Sequence, residues 1–115
     1  MNEDTGQIPK TWCGATARIL RDNRPGSVII RQRARRDWAS MPWNPFDYEL
    51  LDELADALER KALTGKKHTM DEPGETYSFI FYHQNFPVYT KLNLTHQGQL
   101  VIIYSAHRPL KGDDL

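Results

Sequence analysis

The most regular pattern in the chain lies between Phe46 and Ala62, where apolar residues recur every three or four positions. Phe46, Leu50, Leu51, Leu54, Ala57, Leu58 and Ala62 share one stripe, with Asp and Glu filling the rest. That spacing predicts an amphipathic helix from Pro45 or Asp47 to Leu63. Asn44 and Pro45 make a natural start, since a proline there gives up no needed amide, and Asp47 and Glu49 meet the positive end of the dipole. Arg60 and Lys61 in the last turn, then Gly65, mark the end.

From Thr76 onward the period changes to two. "TYSFIFYH" sets Tyr77, Phe79, Phe81 and His83 on one face and Ser78, Ile80 and Tyr82 on the other. "PVYTKLNLT" alternates in the same way: Val88, Thr90, Leu92 and Leu94 against Tyr89, Lys91 and Asn93. "QLVIIYSAH" is apolar on both faces, as in a central strand, and "THQGQ" before it is a hairpin loop with Gly98 in the special conformation such turns need. Earlier in the chain, "TWCGATARILRD" predicts a short helix capped by Thr11, broken by the turn residues "NRPG". "SVIIRQR" has the β-branched core of a short strand, "RRDWASMPWNPF" has no period and reads as an ordered loop, and "KKHTMDEPGE" reads as a charged loop. The sum is an α+β fold, with a three- to four-stranded antiparallel sheet and N-terminal helices packed on one face. The other face stays partly open, with Tyr89, Lys91 and Asn93 on it.

At 115 residues the chain is expected to form a single domain, 1–115, with flexible ends at 1–9 and 110–115. A 39% hydrophobic and 26% charged composition is that of a globular chain rather than a disordered one. The apolar runs are too short to span a bilayer, and the polar start "MNEDTGQIPK" is unlike a signal peptide. Cys13 is the single cysteine, which excludes an internal disulfide framework. The expectation is a cytoplasmic protein without a membrane partner; oligomeric state is not legible.

Zero net charge conceals an asymmetry. Eight Lys and Arg precede Phe46 against four acids, whereas Phe46 to Glu59 holds six acids and no base. Such a layout permits a phosphate-binding face, or self-neutralisation with the acidic helix packed beside the Arg-rich segment. The run "RQRARR" concentrates the question. On a strand, Arg31, Arg33 and Arg35 would line one side and, with Arg36, contact phosphates; against the acidic helix they would serve stability alone.

The strand ends carry the candidate chemistry. In an antiparallel meander the end of the "TYSFIFYH" strand, the start of "PVYTKLNLT" and the end of "QLVIIYSAH" are neighbours. His83, Tyr89 and His107 would then gather at one edge, with Lys91 and Arg108 close by. That set suits RNA cleavage without a metal or other cofactor. One imidazole takes the 2′-hydroxyl proton, the other protonates the leaving 5′-oxygen, and Lys91 and Arg108 offset the phosphate charge. Tyr89 would orient a base or the 2′-hydroxyl. The plainer reading is surface residues on the wet side of an ordinary hairpin.

"VYTKLNL", a turn, then "LVIIYSAH" resembles the C-terminal hairpin of the MqsR-type mRNA interferase toxins, within the wider RelE/ParE-like group. The resemblance covers about the last third of the chain. It implies a compact α+β endoribonuclease with its active site on the sheet and an antitoxin as partner. Tyr89 would match the family's catalytic tyrosine, and His107 or Arg108 its final basic residue. The turn here is longer, and histidine stands where the family has lysine.

The sequence bears on two further chemistries. "TWCGATARIL" puts Cys13 ahead of a helix, where a thiolate gains from backbone amides, and it resembles the "CG" start of papain-like peptidases. His83, His96 or His107 with an Asn or Asp would complete such a hydrolase. The bland alternative is a small buried hydrophobe. The four histidines lack metal-ligand spacing, so no metal is expected. Trp12, Trp38 and Trp43 read as core anchors rather than base-stacking platforms. The sequence thus favours a small toxin-like endoribonuclease acting on RNA. Its alternative is a non-catalytic phage- or plasmid-type binding or inhibitor protein working through a charged surface.

Overall fold

The structure, a computed structural model, describes residues 5–60, 62–95 and 97–110. Its elements run β1 (Thr5–Gln7), α1 (Lys10–Asp22), β2 (Val28–Ile30), α2 (Gln32–Ala39), α3 (Asp47–Leu58), β3 (Thr64–His68), β4 (Glu75–His83), β5 (Phe86–Leu94) and β6 (Val101–His107). The six strands form one sheet in the order β1-β3-β4-β5-β6-β2, antiparallel except where β2 joins β6 in parallel. The fold is therefore α+β as expected, with a larger and mixed sheet.

The long β4–β5–β6 meander is where period-two alternation was clearest. A two-residue turn joins β4 to β5 with Gln84 at φ 49° and Asn85 at φ 70°, the double left-handed geometry that matches strand twist. The β5–β6 loop places Gly98 at φ 67°. One extra residue bulges β6 opposite the Lys91/Leu92 step. β6 lies between β5 and β2, with Val101 and Ile103 buried on the helix side and Ile102 buried on the other face.

Three short elements went unread. Thr5–Gln7 pairs with β3 and Ile8 is buried, so this part of the expected flexible N-terminus is tied down. "TGKKH", expected as a helix end at Gly65 followed by a charged loop from Lys66, is strand β3. The Arg-rich run is a helix rather than a strand: Ala34 and Trp38, four apart, are its buried residues, and helical spacing distributes the arginines around it. The acidic helix stops at Leu58, short of Leu63, because the chain turns there to bury Leu63 and offer its carbonyl to the Ile8 amide.

All three helices bury their stripes against one face of the sheet. Trp38, Leu50, Leu54, Phe79, Phe81, Val88, Leu92 and Ile103 are fully or almost fully enclosed there. The tryptophans are core anchors, as their setting requires. The Trp12 indole N–H donates to the Glu75 carbonyl at 3.0 Å, and that of Trp38 to the Phe46 carbonyl at 2.9 Å. Tyr89 and Ile102 are also buried, but they stand on the opposite face, outside this cluster.

Candidate functional site

The helix-free face of the sheet is built by register. Lys66, Ser78, Lys91 and Ser105 form one row across β3 to β6. Ile80, Tyr89 and His107 form the next, toward the end of β6. On the other side lie His68, Thr76, Asn93 and Ile102. Two lysines and two histidines, all half-buried, thus stand among the buried hydroxyls of Thr76 and Ser78, so the face is free of helices without being bare. His68 Nε2 and the Ser78 hydroxyl lie 2.6 Å apart, and Asn93 Nδ2 donates to Thr76 Oγ1 at 2.9 Å.

Of the five catalytic candidates, Tyr89, Lys91 and His107 share this face. The Tyr89 and His107 rings stack with centroids 5.2 Å apart and planes 27° from parallel. His107 Nδ1 lies 2.7 Å from the Arg108 carbonyl oxygen. A carbonyl only accepts, so Nδ1 carries the proton and, in the neutral ring, Nε2 keeps the lone pair. Arg108 places its guanidinium 5.0 Å from the centre of the Phe86 ring. His107 and Arg108 form one wall of an open groove of about 360 Å³; Arg33, Asp37 and Ser40 of α2 and its C-cap, with Met41, form the other.

His83 does not join them, a correction to the expected edge cluster. It shares parity with Phe79 and Phe81, and the two-residue turn pairs it with Phe86, so its ring points to the helix side. There Nδ1 lies 2.7 Å from Glu53 of α3, and the ring stacks on Trp43 at 4.4 Å. Neighbouring strand ends share an edge without sharing a face.

The arginines of "RQRARR" also part company. Arg35 pairs with Asp47 at 2.8 Å, and Arg31 reaches Glu72 at 3.5 Å. Arg33 faces the groove, whereas Arg36 is exposed in the last turn of α2. Arg21 of α1 contacts both Asp56 and Glu59 at 2.6 Å. Those carboxylates hold its pKa above the usual guanidinium range. Much of the charge asymmetry is self-neutralised where α1 and α2 meet the acidic helix.

Cys13 is buried in α1, and burial pushes its thiol pKa up, opposite to what a thiolate nucleophile needs. His96, Lys61, residues 1–4 and residues 111–115 lie outside the described residues. Among the described residues there is no cluster of three or more His, Cys, Asp or Glu able to hold a metal, and no helix is long and apolar enough to cross a membrane.

Sequence reasoning missed Lys66 and His68, which alternate onto the open face from β3, and the Glu72–Tyr104 contact above them. The Tyr104 hydroxyl donates to Glu72 Oε1 at 2.5 Å. Burial, then this bond, pushes the Tyr104 pKa well above the usual phenol value, against a smaller opposing pull from Arg31. The available signal was "TGKKH" itself: a glycine, then two residues of one parity able to share a face. No family model, no curated protein and no solved structure matches this chain.

Proposed function

We propose that the chain is a binding protein for single-stranded RNA, working through the helix-free sheet face and the groove between α2 and the end of β6. The observation that carries the reading is the junction at His107. Its ring stacks on Tyr89 at one side, and with Arg108 and Arg33 it borders a groove at the other. Arginines bind phosphate oxygens through paired N–H donors, while an imidazole seated on an aromatic ring offers a flat surface to a base. Lys91 and Lys66 extend the cationic track across the sheet.

The test is fluorescence polarisation of a short labelled oligouridylate across a salt series. Binding should weaken with salt, and Arg33→Ala or Arg108→Ala should each lower the log–log slope by about 0.7. A slope unchanged in both variants would rule out the groove as the phosphate contact.

A second reading keeps the chemistry of a toxin-like, metal-independent endoribonuclease, in line with the MqsR-type resemblance of the hairpin. The tautomer of His107 favours it, because Nε2 is the atom a general base requires. That nitrogen would take the 2′-hydroxyl proton, and the 2′-oxygen would attack the adjacent phosphorus. The P–O5′ bond would then break to leave a cyclic phosphate. With His83 on the other face, Lys91 would have to protonate the departing 5′-oxygen. Incubation with total RNA in the presence of a chelator separates the two readings. Cleavage abolished by His107→Ala supports the enzyme, and intact RNA bound by the protein supports the binding module. An antitoxin as partner belongs to the enzyme reading, and growth arrest on expression alone would accompany it.

A further inference from the structure

The loop from Thr69 to Gly74 leaves β3, crosses the open face and returns to β4. Its tip does not contact its own strands alone. Glu72 reaches past β5 to the Tyr104 hydroxyl on β6, and to Arg31 just beyond β2. Gly74 makes this crossing feasible. It holds φ at +116°, and a Cβ there would meet the Leu94 carbonyl oxygen at 2.2 Å, so the loop lies directly on β5.

Arg31 and Tyr104 together hold the Glu72 carboxylate. Arg31 stands 5.8 Å from the centre of the Tyr104 ring, and both groups direct donors at the same Glu72 oxygen. A guanidinium and a phenol converging on one oxygen suit a phosphodiester as well as a carboxylate, since each presents a singly charged oxygen acceptor. The Glu72 and Arg31 side chains keep about a third and a half of their surface in solvent, so a ligand can reach them. The loop also leaves a defect beneath it. Asn93 Oδ1, fully buried, has no hydrogen-bond partner and would sit 2.9 Å from a Cβ on Gly74. Lifting the loop would let water reach that acceptor, which lowers the cost of opening.

We propose that Arg31 and Tyr104 form a phosphate subsite on the RNA-binding face, occupied in the free protein by the chain's own Glu72 carboxylate. RNA displaces the loop to engage it. The inference rests on the RNA-binding reading above and deepens it. Tyr104 lies three residues before His107 on β6, about 10 Å at strand rise, so one short oligonucleotide spans both. An internal competitor lowers apparent affinity by the fraction of molecules it blocks, and removing it restores that fraction.

The same polarisation assay on the full chain, with the labelled oligouridylate, decides the matter. Glu72→Gln should tighten binding about fivefold. Asp71→Asn, which removes the same charge from the neighbouring position of the loop, should change it less than about twofold. Arg31→Ala in the Glu72→Gln background should abolish the gain. Circular dichroism confirms that each variant is folded. An unchanged Kd for Glu72→Gln overturns the subsite, as does a matching gain in Asp71→Asn, which would show a general charge effect. If binding still depends on Arg33 and Arg108 in those cases, only the subsite falls. If neither wild type nor any variant binds, the RNA reading falls with it.

Discussion

The two faces of the β4–β6 meander are made by the same alternation and end in opposite chemistry. On the helix side, Phe79, Phe81, Val88, Leu92 and Ile103 are sealed beneath three helices. Polar side chains at the margin of that side are drawn into local pairs, as His83 is with Glu53. On the other side Lys66, Lys91, His68 and His107 surround small hydroxyls, and the 69–74 loop crosses the same face. The comparison teaches that one residue of parity decides whether a histidine pairs with a helix or stands on the helix-free face.

The largest expected effect lies on the sealed side. Trp38 is completely enclosed, its ring close to Trp43 and Phe81. Trp38→Ala removes that packing and leaves the Phe46 carbonyl without its indole donor, at a cost of about 3–5 kcal/mol in denaturant unfolding. Lys91→Ala on the other face should stay within about 0.5 kcal/mol of wild type while weakening RNA binding. Comparable destabilisation by both substitutions would erase the distinction between the faces.

The two histidines sharpen the comparison at smaller scale. His83→Gln loses a partly buried bond to Glu53 and a stacked ring, worth about 1 kcal/mol of stability, and should leave RNA affinity unchanged. His107→Ala should do the reverse, with stability almost unchanged and affinity lowered about tenfold through the lost stacking surface. Loss of RNA affinity in His83→Gln at full stability would mean that His83 acts in recognition from the helix side.

How far the sequence could be read follows the same physics. The long helix, the β4–β5–β6 meander and the parity of its faces were legible because extended periodic runs bury one stripe or one face. Most of the short elements were not. β1 is three residues long and exists through pairing with a distant partner, which local pattern cannot show; β2 was legible as a short strand in "SVII", but its parallel pairing with β6 was not. The Arg-rich run misled because arginine alternates with other residues over Arg31, Arg33 and Arg35, while the deciding Ala34–Trp38 spacing is helical. At the candidate site, parity set Tyr89 and Lys91 on one face, and adjacency of strand ends brought His107 beside them. His83 was misplaced because adjacency at an edge was allowed to override that parity. Glu72 was invisible, since nothing local tells a loop which strand it will cross to reach.

The smallest effect tests the faces through two tyrosines. Burial first, and then the Glu75 carboxylate, raises the Tyr77 pKa on the helix side. Burial first, and then Glu72, raises that of Tyr104 on the open side. For either residue the unfolded chain releases its proton near the ordinary value of about 10, whereas the folded chain holds it to higher pH. Between about 10 and the higher folded value the folded state binds more protons, so stability falls as pH rises through that window, and it is fully present below about 10. Tyr77→Phe and Tyr104→Phe should each flatten this alkaline limb, read as the urea midpoint against pH. Only Tyr104→Phe also removes a donor from Glu72, so it alone should speed amide exchange in the loop over Asn93 at neutral pH. Equal exchange in the two variants would detach the Tyr104 bond from the loop and leave Glu72 held by Arg31 alone.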